Sequence, residues 1–144
     1  MTGSVDPTRA QFDAFKALPR DRPIQMLNLV RCRETAAYPE GHANHGRSLS
    51  GREAYAEYGR SSGPVFRRVG GRIVWSGRPE AIVTGPPGEA WDLAFIAEYP
   101  SAAAFLEMVV DPGYREHVKH RQAAVADSRL IRMEPLPVGE GFGE

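Results

Sequence analysis

The residue in this chain best placed for chemistry is an amide. Asn28 interrupts an apolar run, IQMLNLVR over residues 24–31. An amide in such a run must find partners or cost about 1–3 kcal/mol. It either orients a substrate carbonyl or hydroxyl, or it satisfies neighbouring backbone at a sheet edge or dimer seam. Arg31 follows at the end of the run, and a guanidinium there can fork onto a carboxylate. The bland alternative is surface charge, or a bridge to Asp92 or Glu98. Tyr55 offers a phenol for proton movement. These three, Asn28, Arg31 and Tyr55, are the expected catalytic group. Arg33, His42, His45, Arg52, Tyr58 and Trp91 are the expected ligand contacts. Tyr55 and Tyr58, at i and i+3, also suit core packing with wet hydroxyls. Trp91, like Trp75, suits core packing as well.

The four histidines form two pairs, His42/His45 and His117/His120. Histidines at i and i+3 of a helix bind one metal when a third ligand arrives. Glu116 adjoins the second pair but points elsewhere on the helix, and no cysteine cluster or HExxH motif supports a metal. None is expected. A general base from this set is expected at His42 or His45, in a long loop. Haem would need an axial histidine facing a large cavity, which Tyr114 and Val118 do not indicate for His117 or His120. Nucleotide motifs are absent. Cys32 stands alone between Arg31 and Arg33, without a redox partner, and a lone cysteine excludes an internal disulfide framework. No cofactor is expected.

The bulk numbers narrow the partners. Formal charge is +0 and the pI is about 6.9, so no electrostatic footprint for nucleic acid is present. Only Lys16 and Lys119 are lysines, and the remaining cations are arginines, suited to carboxylate or phosphate. No apolar run approaches ~20 residues and no secretory core opens the chain, so neither membrane nor export is expected. A reducing cytoplasm is the default. At 144 residues the chain is one domain.

These residues need elements to hold them. Asp6-Pro7 is expected to open a helix over 7–18 with Phe12, Phe15 and Leu18 on one face. Residues 24–31 read as a strand apolar on both faces, hence covered on both. Residues 33–49 form a long polar loop of the kind that carries function. Ser50-Gly-Arg-Glu53 is a capping box opening a helix over 50–69. Residues 72–84 read as a strand interrupted at Gly77–Pro79 and resumed at 81–83. Gly85-Pro86-Pro87-Gly88 turns it into a return strand at 91–99. Residues 101–127 read as helical with a break and new cap at Asp111-Pro112, and 129–136 as the last strand. The order β-α-β-β-α-β is that of a ferredoxin-like α+β subunit. The expected organisation is an N-terminal helical extension (1–22), a ferredoxin-like domain (23–137) and a flexible tail (138–144). Two helices cover one sheet face only, so the other is expected to pair with a second copy. The main pocket is expected where residues 28–33 meet the start of the Ser50 helix, whose free N–H groups suit an anion.

The stretches MLNLVR (26–31), SGREAY (50–55), WDLAFIAEYPS (91–101), AFLEM (104–108) and DPGY (111–114) give the chain a close resemblance to domain of unknown function family 1330, in the dimeric α/β-barrel group, from Pro23 to Pro135. The resemblance implies a ferredoxin-like subunit and a homodimer with two sheets facing across a shared barrel. It implies no settled activity: broader relatives include cofactor-free monooxygenases, lactone isomerases, dehalogenating or dehydrating enzymes and haem-dependent members, and fold alone licenses none of these. The reading is a small-molecule enzyme without metal or organic cofactor, using the barrel interior for a small, anionic organic ligand. The alternative is a non-catalytic ligand-binding or structural homodimer.

Overall fold

The apolar alternation of the first strand is divided between two environments. In the computed structural model, which describes residues 3–139 and 142, β1 (Ile24–Cys32) lies inside a four-stranded sheet of order β2-β3-β1-β4. It pairs antiparallel with β3 (Leu93–Tyr99) and with β4 (Val125–Met133), and β2 (Arg72–Gly77) borders β3. Ile24, Met26 and Val30 are buried on one face, with Asn28 on the same face by alternation. Leu27 and Leu29 point to the other. There Ile96 is opposite Leu27 on β3, Ile131 opposite it on β4, and Trp75 opposite Ile96. Among the described residues that second face carries no helix. Trp75 is 50% exposed and Ile131 48%, too much apolar surface in one patch to be scattered surface residues.

The helices cover the first face. In α2 (Gly51–Arg68) the capping box is present: Ser50 accepts from the Glu53 N–H, and the Glu53 side chain accepts from the Ser50 N–H. The following helical region breaks at Asp111 into α3 (Ala102–Val110) and α4 (Pro112–Ala124). Asp111 caps α4 by accepting from Tyr114 N–H at 2.9 Å, and Arg68 of α2 holds its other oxygen at 2.8 Å. The core divides in two. One cluster centres on Ile24, Met26, Tyr99 and Met108, with Tyr58 against it. The other centres on Val30, Tyr38, Ala54 and Val125, with Tyr55 against it.

Several boundaries differ from expectation. The first helix, α1, spans Arg9–Ala17 and is capped by Thr8, with Gln11 completing a capping box, so Asp6 is not the cap. Asp6 instead accepts from the Gln122 amide at 3.3 Å. The last strand begins at Val125, directly after α4, rather than near residue 129. Pairing decides this: Val125 lies opposite Cys32, and Arg33 N–H donates to Ala124 O at 2.7 Å. Long-range ladder bonds override the helical look of the Ala-Ala-Val-Ala run. The strand ends before Pro135, which has no N–H to donate. β2 stops at Gly77 and does not resume at 81–83, and β3 starts at Leu93 rather than Trp91. Part of the segment expected as a tail, 138–144, lies outside the described residues.

The long loop is an ordered one. Thr35 bridges Ser50, Ala36 N–H donates to Leu49 O, and Ala37 N–H donates to Ala123 O. These bonds staple both ends of the loop to α2 and α4. Tyr38 is thereby buried, at 7% exposure.

Candidate functional site

Three histidine and tyrosine side chains converge where this loop crosses α4. The staple to Ala123 sinks the Tyr38 ring among Ala54, Ala123 and Val125 and turns its hydroxyl to His120, 2.7 Å from Nδ1. A tight turn, with His42 N–H donating to Pro39 O, folds His42 back over the tyrosine. The rings of Tyr38 and His42 stack at 4.6 Å, and His42 meets His120 edge-on at 5.3 Å. His42 Nδ1 accepts from Asn44 N–H at 3.0 Å, and His45 Nδ1 lies 2.9 Å from Tyr38 O. α2 supplies the facing wall with Glu53, Ala56, Glu57 and Arg60. Between the wall and the loop is a cleft of about 610 Å³, reached also by Arg47 and Leu49.

The electrostatics are specific. Burial pushes the His120 pKa below the ordinary histidine value, outweighing the opposite pull of Glu57, while His42 and His117 add to the lowering. The imidazole is therefore neutral at pH 7. Glu57 is held below the usual carboxylate range by its Arg60 partner, at 2.6 Å. Glu53 is lowered by its bonds to Ser50. A neutral imidazole in hydrogen-bond contact with a phenol can take a proton at one nitrogen and give one at the other. Among the described residues no group of three or more His, Cys, Asp or Glu is arranged to hold a metal ion, and no helix is long and apolar enough to cross a membrane.

The residues singled out from sequence fall in four places. Asn28, Tyr55 and Tyr58 share the space between sheet and helices. Asn28 Nδ2 donates to Met26 O at 3.0 Å, Tyr55 and Tyr58 meet edge-on at 5.5 Å, and the Tyr58 and Tyr114 hydroxyls are 2.8 Å apart. Burial raises the phenol pKa of Tyr55, Tyr58 and Tyr114. Arg31 lies on the opposite sheet face, across from Asp127. Arg52 pairs with Asp92 at 2.9 Å, and Asp92 also accepts from Cys32 N–H. Burial, then Asp92, raises the Cys32 thiol pKa. Trp91 lies under the Arg129 guanidinium at 5.1 Å. His42 and His45 belong to the cleft. Arg33 acts through its backbone, which accepts from Gly51 N–H at 3.1 Å. With that bond and the Ser50 cap, two N–H groups of the first turn of α2 are already engaged.

Tyr38, Arg47, Glu57 and Arg60 were not singled out from sequence, and His120 was read only with His117. The one signal was the density of Tyr, His and Asn in the long loop. A second cavity, of about 340 Å³, lies between Leu18–Pro23 and the end of β4. Its Arg132 is tied to Phe15 O and Pro19 O and lies over the Phe15 ring, which engages its donors.

Comparison with known proteins agrees with the fold. The model of the family "Domain of unknown function (DUF1330)" matches residues 46–134, more than half of the chain. The crystal structure of the methylated protein RPA0582 is 59% identical, covers 97% of this chain and 100% of its own, and superposes with a TM-score of 0.89. A second RPA0582 structure, of a protein of unknown function from Rhodopseudomonas palustris, gives 59% identity, 94% and 98% coverage and a TM-score of 0.85. A nipsnap family protein with unknown function from Agrobacterium tumefaciens is 12% identical over 83% of this chain and 94% of its own, with a TM-score of 0.50. That likeness concerns the fold alone. No curated protein matches. The chain belongs to the DUF1330 family and has a ferredoxin-like fold.

Proposed function

We propose that this DUF1330 protein is a homodimeric small-molecule enzyme that moves a proton to or from a bound organic ligand without metal or organic cofactor. The observation that carries the reading is the Tyr38 hydroxyl within 2.7 Å of His120 Nδ1 at the edge of a 610 Å³ cleft. The volume falls in the usual range for small-molecule sites, ~300–1,000 Å³. His120, kept neutral by burial, is the proton acceptor. Its Nε2 accepts when Nδ1 carries the ring's hydrogen and donates it to the Tyr38 oxygen, a bond that fixes the ring's orientation, and His42 closes the side of the site. The cleft is a better candidate than the space between sheet and helices, where Asn28 and the tyrosines bond to backbone and to one another.

The dimer rests on the helix-free sheet face. Leu27, Leu29, Ile96, Ile131 and Trp75 form its apolar centre, and Arg31 and Arg129 stand on its margin. A second copy packed there by a two-fold axis buries the patch. Light scattering should give twice the 15.8 kDa chain mass. A 15.8 kDa particle at micromolar concentration refutes the dimer but leaves the cleft intact.

Catalysis is tested by incubating the protein in D2O with a panel of small carbonyl compounds and carboxylic acids. Deuterium entry at an acidic C–H, lost in His120→Gln, is the expected result. Binding at the cleft without exchange in any compound favours the non-catalytic ligand-binding dimer instead.

A further inference from the structure

We infer that the cleft selects a singly charged organic carboxylate, and that Arg47 is the residue that recognises it. This deepens the reading above and rests on it for the location of the site. Arg52, Arg60, Arg68, Arg72 and Arg129 each pair with a carboxylate. Arg47 does not: its bond among the described residues goes to the neutral Asn44 Oδ1, at 2.9 Å. A guanidinium engaged at one nitrogen by an amide keeps its remaining donors for a planar anion.

The backbone around Arg47 is unusual in a way that bears on its aim. Gly46 has φ +78° and Ser48 φ +56°. Ser48 is the one non-glycine residue with positive φ among the described residues. Two left-handed residues bracketing an arginine reverse the chain on each side of it. Such conformations persist where surrounding structure fixes them, and they cluster at functional sites. Here the loop closes on itself through Arg47 N–H to Asn44 O at 3.2 Å, which keeps Arg47 on the rim of the cleft with Asn44 and His42.

The same walls set the charge of the ligand. Glu53 and Glu57 line the cleft, and both are lowered in pKa, so both remain ionised. His120 is neutral there and adds no positive charge. With Glu57 already paired to Arg60, a phosphate dianion would bring two charges to a lining that leaves one carboxylate, Glu53, and one cation, Arg47, outside an ion pair. A carboxylate carries a single charge and matches the Arg47 fork. Anchored on Arg47, the rest of a small acid extends toward His42 and His120.

The test uses four probes: benzoate, benzamide, lactate and inorganic phosphate, titrated into isotopically labelled wild type, Arg47→Gln and His120→Gln by NMR. Wild type should bind benzoate about fivefold more tightly than benzamide, the scale of one exposed charge pair. Arg47→Gln should bring the two together, and His120→Gln should keep the preference. Phosphate should bind more weakly than either acid. Equal binding of benzoate and benzamide by wild type, a preference that survives Arg47→Gln, or phosphate binding above benzoate overturns the carboxylate assignment. Those outcomes leave the cleft standing provided the His42, His120 and Tyr38 resonances still move. If all shifts arise elsewhere, or none arises, the cleft itself fails as well.

Discussion

Two regions of this molecule use tyrosine, four residues in one and Tyr38 alone in the other, and they differ in what the hydroxyls face. Between sheet and helices, Tyr58 bonds to Tyr114, Tyr55 packs edge-on against Tyr58, and Tyr99 lies nearby under Phe66 and Phe105. All four phenols are driven upward in pKa, mainly by burial. A phenol facing a phenol has no strong base to take its proton. At the cleft the ring of Tyr38 is equally buried, but its hydroxyl faces an imidazole beside open volume. Polarity satisfied internally holds a core together; polarity satisfied by a titratable group next to space can do chemistry. Sequence composition does not separate the two, because both use the same residue type.

α2 joins the regions, with Tyr55 and Tyr58 on one side and Glu53, Glu57 and Arg60 on the other. Its first residue is the tightest point of the joint. A Cβ on Gly51 would collide with Arg33 O and lie 2.7 Å from Arg33 N and 2.9 Å from Ala124 O. All three of these neighbours are backbone, so nothing can rotate away. Gly51→Ala should cost about 2–3 kcal/mol, read as a lowered urea midpoint, and should loosen core and cleft together. A cost below ~0.5 kcal/mol would show that α2 is not clamped there.

Removing one hydroxyl of the interior pair leaves the other buried and unpaired. Tyr58→Phe and Tyr114→Phe should each cost about 1–2 kcal/mol, and the double variant less than their sum. Neither should change affinity at the cleft. Should Tyr58→Phe weaken benzoate binding as strongly as Arg47→Gln does, the division into core and site breaks down, and Asn28, Tyr55 and Tyr58 return as ligand contacts.

The cleft should also carry its own pH signature. His120 titrates lower in the folded protein than its ordinary value of 6.5. Between that folded value and 6.5 the unfolded chain binds more protons, so stability rises with pH through the window and levels off above it. Acidification from pH 7.5 should therefore begin to lower the melting temperature as 6.5 is passed. His120→Gln should flatten that part of the curve. Loss from the depressed carboxylates, Glu57 and Asp111 among them, belongs to lower pH, beginning near their ordinary values of 4.5 and 3.8. An unchanged profile above pH 5 in His120→Gln would mean that the imidazole is as hydrated folded as unfolded.

Much of the frame was legible because it is written in local signals. The Ser50/Glu53 box and the Asp111-Pro112 break are short-range chemistry, and each caps a helix as its spacing implies. Alternation also put Asn28 and Arg31 on opposite sheet faces. Val125–Asp127 was misread because its neighbours favour helix while its strand partners lie nearly a hundred residues away. The cleft was illegible for the same reason. Tyr38 and His120 are 82 residues apart, and no periodicity links a loop tyrosine to a helix histidine. Their meeting depends on the staple from Ala37 to Ala123, a bond between backbones that no side chain announces.

The smallest expected effect is on the backbone that holds Arg47. Ser48 occupies the left-handed region, where a Cβ crowds the following carbonyl and costs roughly 1–2 kcal/mol, while glycine enters freely. Ser48→Gly removes that cost in the folded state but gives the unfolded chain more freedom, which offsets part of it. The net should be a gain of about 0.5 kcal/mol or less, with benzoate affinity reduced slightly by a looser loop. Core and cleft then respond in opposite senses: the variant melts higher and binds less. Thermal unfolding and the same NMR titration measure both. If Ser48→Gly destabilises the protein, the left-handed turn is not strained, and the aim of Arg47 must come from the Asn44 bond alone.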